Sequence, residues 1–397
     1  MDDAHRDPAW LRAHALDVLA FYYPDCVAED GGYVHGFSDV DGTVYDDEHH
    51  HLVGTARFVF DFAVGRLLDG PDYCDGAAAH GLSFLRSAHR DDAHGGYLWL
   101  LDDDGIADGR KYCYGHAFAL VAEATALRAG VSAADADAVT AAADVLDERF
   151  RDPNGLYRPT CDRDWGDCEA YRGQNANMHT CEAFLAAHEA TGESAFRDRS
   201  LAVAEGVARD LADAGDGLVW EHYTADWEHD WTYNRDDLDD LFRPWGYLVG
   251  HQTEWAKLLG MLDRHVDADW LVDRARHLFE TAVETCWDDD RGGLYYSFDR
   301  EGEVINERKY FWVAAETLAA AAVLYERTGD DAFLTWYDRV WTHAREQFVS
   351  DALGIWYRVL EPSNAVADDV NLTPRVKADY HVVNACYEAR RALDEAH

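Results

Sequence analysis

Runs of small apolar residues alternate along this chain with stretches in which apolar side chains recur every three or four positions among charges. That recurrence is the period of a helix with one buried face. Period and capping residues together predict helices near residues 8–22, 51–68, 73–89, 112–128, 133–149, 177–190, 195–212, 246–263, 268–286, 310–327, 331–348 and 379–395. Alternate members differ in kind. Residues 117–129, 183–187 and 314–324 are mostly small and apolar, as in helices packed on several sides, whereas 135–149 and 331–348 carry more charge and read as peripheral partners.

A glycine followed shortly by aromatic residues punctuates these helices. The copies are Gly31-Gly32-Tyr33, Gly95-Gly96-Tyr97, Gly155-Leu156-Tyr157, Gly217-Leu218-Val219-Trp220, Gly292-Gly293-Leu294-Tyr295 and Gly354-Ile355-Trp356-Tyr357. Between Gly32, Gly96, Gly155, Gly217, Gly293 and Gly354 the steps are 64, 59, 62, 76 and 61 residues. A fixed period signals a repeat architecture. Asp41-Gly42, Asp104-Gly105 and Glu301-Gly302 add a second turn signal, so these connections read as short β-hairpins. Two helices per unit in six units predict an all-α fold, an (α/α)6 barrel of six helical hairpins with short β-hairpins in the connecting loops, made by residues 1–397 as a single domain. A linear solenoid is the alternative. The ring is preferred because helix 8–22 needs a partner and the terminal units show no polar capping face. The long step falls in 221–246, rich in Trp, Tyr and Asp, which reads either as a functional loop over a site or as a surface insertion.

Composition narrows the setting. The 397 residues hold 35 basic and 77 acidic side chains, a net charge of −42, and only four lysines: Lys111, Lys257, Lys309 and Lys377. Acid is spread along the whole chain. Such a surface repels itself at low ionic strength and becomes workable in concentrated salt, which points to a salt-adapted cytoplasmic protein. It also argues against nucleic acid or an anionic membrane as a partner. No apolar run approaches the roughly 18 residues that cross a bilayer. Residues 1–20 mix charges and lack an apolar signal core. None of the eight cysteines (Cys26, Cys74, Cys113, Cys161, Cys168, Cys181, Cys286 and Cys386) forms a C-x-x-C pair, and all are expected to be reduced, mostly packed thiols.

Candidate chemistry collects at the starts of the small apolar helices. There stand His51 and Arg57; Tyr114 and His116; Asn175, Asn177 and His179; His251 and Glu254; Lys309 and Trp312; Asp379, Tyr380 and His381. In a ring of hairpins all six starts open at one end and converge on a mouth of histidines, amides, a guanidinium and aromatics, suited to a sugar. His251 and Glu254, three apart in Gly250-His251-Gln252-Thr253-Glu254-Trp255, share a helix face. Free N–H groups and the positive dipole end disfavour an imidazolium there. A neutral histidine beside a carboxylate is a good general base near neutral pH. Each position also has a plain structural reading: His116 as a packed core histidine, His49-His50-His51 as loop surface, Asn177 as a helix N-cap, and Cys181, Glu182 and Glu316 as supporting or ordinary helix residues. The warrant for a site is the coincidence of polar residues at equivalent places in six repeats. The mouth shows no obvious carboxylate cluster for a hard divalent ion, so no metal and no cofactor is expected.

The segment Tyr171-Arg172-Gly173-Gln174-Asn175-Ala176-Asn177-Met178-His179, followed by Glu182-Ala183, resembles the N-acylglucosamine 2-epimerase superfamily. So do Thr55-Ala56-Arg57, Tyr114-Gly115-His116-Ala117-Phe118, Gly250-His251 with Glu254-Trp255, Trp312 with Glu316, and Tyr380-His381. The resemblance covers nearly the whole chain and is greatest to the branch of the mannose and sulfoquinovose isomerases. It implies an (α/α)6 barrel, in agreement with the repeat count. It also implies an acid/base pair of His251 and His381, with Arg57, His179 and Glu254 in support. Tyr114, Asn175, Asn177, Trp312 and Asp379 are then the substrate-binding candidates. Leu241 stands where the resemblance to sulfonate-binding relatives implies an arginine, and Lys377 where it implies a glutamine, so a neutral hexose is favoured.

The expected reaction is aldose–ketose isomerisation, with D-mannose and D-fructose the favoured pair, through an enediolate whose oxygen Arg57 stabilises. The alternatives are a 2-epimerase of a free or N-acylated sugar, which returns the proton to the other face of carbon 2, and a sulfoquinovose isomerase. A glycoside hydrolase, which needs two carboxylates flanking the bond, and a non-catalytic sugar-binding protein stand further off. The partner expected is a monosaccharide, with homo-oligomerisation left open. The charge gives a first test: the melting temperature should rise from millimolar to molar salt, and a value flat or falling over that range contradicts salt adaptation.

Overall fold

The computed structural model describes residues 4–29, 31–238, 240, 242–368, 376 and 378–395. Twelve main helices run through them: α1 (Pro8–Tyr22), α2 (Leu52–Leu67), α3 (Tyr73–Ser87), α4 (Cys113–Ala129), α5 (Ala136–Val145), α6 (Gln174–Thr191), α7 (Ser194–Ala204), α8 (Val249–Asp263), α9 (Trp270–Cys286), α10 (Phe311–Thr328), α11 (Asp331–His343) and α12 (Tyr380–Glu395). These are the twelve expected from the hydrophobic period. Wider π turns carry α5, α7 and α11 onward to Phe150, Leu211 and Phe348. The largest differences at helix starts are of three residues: α5, α6 and α8 begin at Ala136, Gln174 and Val249 rather than at 133, 177 and 246.

Helices α2, α4, α6, α8, α10 and α12 pack on one another in sequence, and α12 packs back on α2. Each leans on an outer partner, α3, α5, α7, α9 and α11 in turn, and α1 packs against α12. The ring is therefore closed, an (α/α)6 barrel and not a linear solenoid. Outer helices α1, α5 and α11 start on aspartate caps: Asp7, Asp135 and Asp330 each accept the N–H two residues on. The inner helices start differently. The first N–H of α2, α4, α6, α8 and α10 is donated to the carbonyl of Trp99, Pro159, Glu221, Tyr296 and Arg358 respectively, at 2.9–3.2 Å. Beside each of these bonds runs a short antiparallel pair, such as Arg172–Gly173 with His222–Tyr223 and Tyr247–Leu248 with Ser297–Phe298. The marker glycines open the loops that supply those carbonyls. Gly96, for example, has φ +68°, and a Cβ there would lie 2.6 Å from His116 Nε2.

At the opposite end of the barrel arginines tie the inner helices together. Arg264 bridges Glu326 and Glu388, Arg391 bridges Glu388 and Glu189, and Arg128 meets Glu189. Two expectations are corrected. Cys161 and Cys168 are joined in a disulfide, because the loop between them folds back as an antiparallel bridge with the two Cα atoms 4.0 Å apart; the other six cysteines are free and buried. His50 and His51 are not loop surface. His50 is buried in a strand, and His51 Nδ1 accepts the Val53 N–H at 3.1 Å as the cap of α2. No described helix is long and apolar enough to cross a membrane.

The loop–helix junctions bury neutral histidines. His89 Nδ1 donates to the Leu98 carbonyl at 3.0 Å, and His116 is held by the Tyr112 carbonyl at 2.8 Å and the Tyr97 N–H at 2.9 Å. Burial lowers them to about 4 and about 3 respectively. The unfolded chain, with histidines near 6.5, therefore binds more protons over the interval between. Stability should be full above about pH 6.5 and be lost as pH falls toward 4, by about 2 kcal/mol per such histidine at pH 5. Denaturant midpoints in molar salt should be lower near pH 5 than near pH 7.5, and His89→Gln should weaken that dependence. Equal midpoints at the two values would contradict the assignment.

Candidate active site

The starts of the inner helices open on a single cavity of about 940 Å³. Nine of the ten expected site residues line it: Arg57, Tyr114, Asn175, His179, His251, Glu254, Trp312, Asp379 and His381. Asn177 does not. It lies in the second turn of α6, where its amide bonds the Tyr157 N–H and the carbonyls of Tyr157 and Gly173 at 2.8–3.1 Å. It ties a marker loop to the helix, and the N-cap is Gly173. Lys309, also at a helix start, points into the loops, with Nζ 2.7 Å from Asp288.

His251 begins α8 beside Gly250. A Cβ at Gly250 would lie 2.1 Å from the Trp312 ring, so only glycine lets the indole close over this helix start. The carboxylate on His251 Nδ1 is Glu221 at 2.9 Å, a correction to the expected pairing with Glu254. Gln174 Nε2 lies 2.9 Å from Glu221 Oε2 and 2.8 Å from His251 Nδ1, and its amide is oriented by Trp255 Nε1, which donates to Gln174 Oε1 at 2.8 Å. The charged carboxylate is the strongest acceptor of the three, so it takes the His251 Nδ1 proton as well as a Gln174 N–H and leaves the His251 lone pair on Nε2.

His381 repeats the arrangement. Its Nδ1 donates to Glu316 Oε1 at 2.7 Å, and its Nε2 lies 3.3 Å from Arg57 Nη2. Burial, with the Arg57 charge adding to it against Glu316, lowers this imidazole to about 4, so it is neutral near pH 7. Both histidines flank Trp312, with ring centroids 5.2 Å (His251) and 5.8 Å (His381) from the indole. Arg57 also donates to the Tyr114 hydroxyl at 2.9 Å and lies over the Phe118 ring. His179 Nδ1 meets Glu182 at 2.9 Å, and burial lowers its affinity for a proton.

The expectation of a carboxylate-poor mouth is corrected. Glu182, Glu254 and Glu316 lie buried around Lys257. Atoms of Glu254, Glu316 and His381 come within 4.8 Å of one another, as do those of His179, Glu182 and Glu254. A lysine ammonium already stands among these carboxyls, 2.5 Å from Glu316 and 3.7 Å from Glu254, and none of these side chains is assigned as a metal ligand. Arg57 Nε, Asn175 Oδ1 and Glu254 Oε1 are buried polar atoms of cavity-lining side chains that lack a hydrogen-bond partner among the described residues. Donors and acceptors of both kinds suit a polyhydroxylated ligand. Asp379 also faces the cavity and accepts the Tyr22 hydroxyl at 2.8 Å, fastening α12 to α1.

The described residues of the long segment 221–246 border this mouth. His222 holds the Pro244 carbonyl at 2.9 Å, Arg243 pairs with Glu169 at 2.7 Å, and Trp245 donates to the Trp231 carbonyl. Leu238, Phe242 and Pro244 consequently form part of the rim, with Phe242 62% exposed. Leu241 and Lys377 lie outside the described residues. Sequence reasoning missed Glu221, Gln174, Tyr296 and Arg358. The signal existed: Glu221, Tyr296 and Arg358 supply the carbonyls that start α6, α8 and α10, three or four residues after a marker glycine.

Residues 31–385 match the family model described as N-acylglucosamine 2-epimerase (GlcNAc 2-epimerase). The chain is 41% identical over 386 residues to a D-mannose isomerase of Marinomonas mediterranea, covering 97% of each. It is 38% identical over 373 residues to a D-mannose isomerase of Thermobifida fusca, covering 91% of this chain and 88% of that one. The crystal structure of a D-mannose isomerase superposes with a TM-score of 0.93 at 40% identity, covering 97% of this chain and 98% of that one.

The Glu221 contact is testable without any substrate. An amide there can donate to Nδ1 as readily as accept from it, which lets the wrong tautomer form. Nitrogen-15 NMR should report His251 as the Nδ1–H tautomer in the parent protein and as a mixture in Glu221→Gln, at a nearly unchanged melting temperature. An unaltered tautomer would remove Glu221 from this role.

Proposed function

The chain belongs to the N-acylglucosamine 2-epimerase family, and we propose that within it this protein is an aldose–ketose isomerase interconverting D-mannose and D-fructose. The observation that carries the reading is the pair of carboxylate-backed histidines beside Trp312, with Arg57 next to one of them, lining one cavity. Similarity to D-mannose isomerases at 41% and 38% identity supports the choice of sugar. Residues 1–397 act as a single catalytic domain. The acidic surface supports a salt-adapted protein of the cytoplasm.

The chemistry follows from the geometry. The ring must open, a proton must leave carbon 2, and a proton must arrive at carbon 1. A neutral imidazole with its lone pair on Nε2 can take the carbon-bound proton, and its Nδ1–H remains on a carboxylate that stabilises the imidazolium formed. The second histidine serves ring opening and the oxygen-bound protons. As negative charge develops on the carbonyl oxygen, the Arg57 guanidinium is fixed nearby by Tyr114, Phe118 and Tyr380, with no reorganisation needed. Tyr114, Asn175, His179 and Asp379 position hydroxyls, Trp312 offers a flat apolar face, and Glu254 donates as an acid. The neutral hexose is favoured over a sulfo-sugar by Leu241 and Lys377. A glycoside hydrolase would need two carboxylates free to flank the bond. Here Glu182, Glu221 and Glu316 are each tied behind a histidine.

Proton NMR of mannose incubated in D₂O with the protein at high salt should show fructose, with deuterium at carbon 1. His251→Asn and His381→Asn should each lose about 10²–10⁴-fold in kcat while melting near the parent temperature. His116→Asn should lower stability more than rate. Glucose as the main product would replace the isomerase by a 2-epimerase, and near-normal kcat in either histidine variant would remove that residue from the mechanism.

A further inference from the structure

Three of the four lysines, Lys111, Lys257 and Lys309, lie among the described residues, and all three are buried. Two fasten loops: Lys111 Nζ is 2.8 Å from Asp91 and Lys309 Nζ is 2.7 Å from Asp288. Lys257 is different. It sits on α8 beneath the cavity, one turn on from Glu254, with Nζ 2.5 Å from Glu316 Oε2. Resting on the isomerase reading above, we propose that Lys257 is a positioning residue for the reaction: its ammonium keeps Glu316 ionised behind His381 and leaves the proton of the buried cluster on Glu254.

The argument is a count of charges in a dry place. The groups facing one another are Arg57 on α2, Tyr114 on α4, His179 and Glu182 on α6, Glu254 and Lys257 on α8, Glu316 on α10, and Tyr380 and His381 on α12. Two permanent cations stand against three carboxyls. An unbalanced buried charge is costly, so one carboxyl keeps its proton. Contacts decide which. Glu316 receives the Lys257 ammonium at 2.5 Å and the His381 N–H at 2.7 Å. Glu182 receives the His179 N–H at 2.9 Å and the Tyr380 hydroxyl. Glu254 has the ammonium only at 3.7 Å and His179 at 3.9 Å, and its Oε1 has no partner among the described residues. Burial and the neighbouring Glu316 charge both push Glu254 well above the usual carboxylate range, whereas for Glu316 the ammonium and the His381 hydrogen bond outweigh burial and pull it down.

The consequence reaches His381. While Glu316 is a carboxylate it accepts the Nδ1 proton, and Nε2 carries the lone pair toward the cavity. Were the proton on Glu316, it would be donated to Nδ1, and Nε2 would become N–H and cease to be a base. Lys257 thus acts on the reaction through Glu316 without touching substrate.

The test compares the parent protein with Lys257→Met, Lys257→Arg and Glu254→Gln in molar salt. For Lys257→Met we expect kcat for mannose to fall at least about tenfold and the acid limb of the pH–rate profile to move up by about one pH unit or more. Lys257→Arg should restore most of the rate and the limb. Nitrogen-15 NMR of His381, assigned with His381→Asn, should show the Nδ1–H tautomer in the parent and its partial loss in Lys257→Met. Glu254→Gln, which replaces a neutral acid by a neutral amide, should leave the His381 titration in place. A uniform rate loss with an unmoved acid limb and unmoved tautomer makes Lys257 a packing residue and overturns the proposal, as does a displaced His381 titration in Glu254→Gln. The NMR arms need no turnover, so absence of mannose isomerisation would sink the isomerase reading and leave this assignment to be decided by the tautomer. If Lys257→Met does not fold, Glu254→Gln still decides it.

Discussion

The whole arrangement depends on one backbone contact made five times. The first N–H of each inner helix from α2 to α10 is donated to a carbonyl in the loop that follows the next outer helix. A helix start carries unsatisfied donors that must be bonded somewhere. Outer helices meet part of this need with aspartate side chains; the inner ones meet it with the backbone of a neighbouring repeat. The contact therefore does two things. It fixes all inner starts at one end of the ring, and it delivers the residue bearing each carbonyl to the same end. At Glu221, Tyr296 and Arg358 that residue's side chain reaches the cavity or a histidine in it. The site is built from helix-start residues and carbonyl-bearing loop residues in alternation.

The two ends of the barrel use charge in opposite ways. At the far end, arginine and glutamate alternate around the inner helices in a balanced set, with Arg264 and Arg391 each shared by two glutamates. The set is half-buried and shared among four helices, so that end is fastened. At the cavity end cations are fewer than carboxyls, and the balance is made by protons. That is the condition for chemistry: groups that can give or take a proton without the fold coming apart. The two histidines are each backed by a carboxylate of their own, Glu221 and Glu316, so protonation of one need not change the tautomer of the other.

The fold was legible because its signals are periodic. Twelve helices and six marker glycines repeat often enough that an error at one boundary, as at Gln174, does not disturb the count. Nine cavity residues were legible for the same reason, since helix starts recur at known offsets. Partners were not. His251 and Glu254 share a helix face in the sequence, yet the carboxylate on His251 comes from Glu221, thirty residues earlier. Glu316 meets Lys257 and Glu254 only after α10 packs on α8. Asn177 looked like a ligand-binding amide because it neighbours Asn175, but the extra turn of α6 below it turns its amide to the Tyr157 backbone. The Cys161–Cys168 disulfide depends on a loop folding back, which spacing alone does not reveal.

A net charge of −42 does not govern the site, rich as it is in titratable groups, and the reason is geometric. The excess acid is distributed over the surface, where salt screens it within about 8–10 Å at ordinary ionic strength and within about 3 Å at molar salt. The cluster at the cavity is buried, and its charges are matched locally by Arg57 and Lys257. Screening by solvent ions acts weakly on such groups, whereas contacts of 2.5–2.9 Å act strongly. Surface and site are thus electrically separate. The surface carries the excess acid, and the interior retains lysine and arginine beside the groups that share a proton.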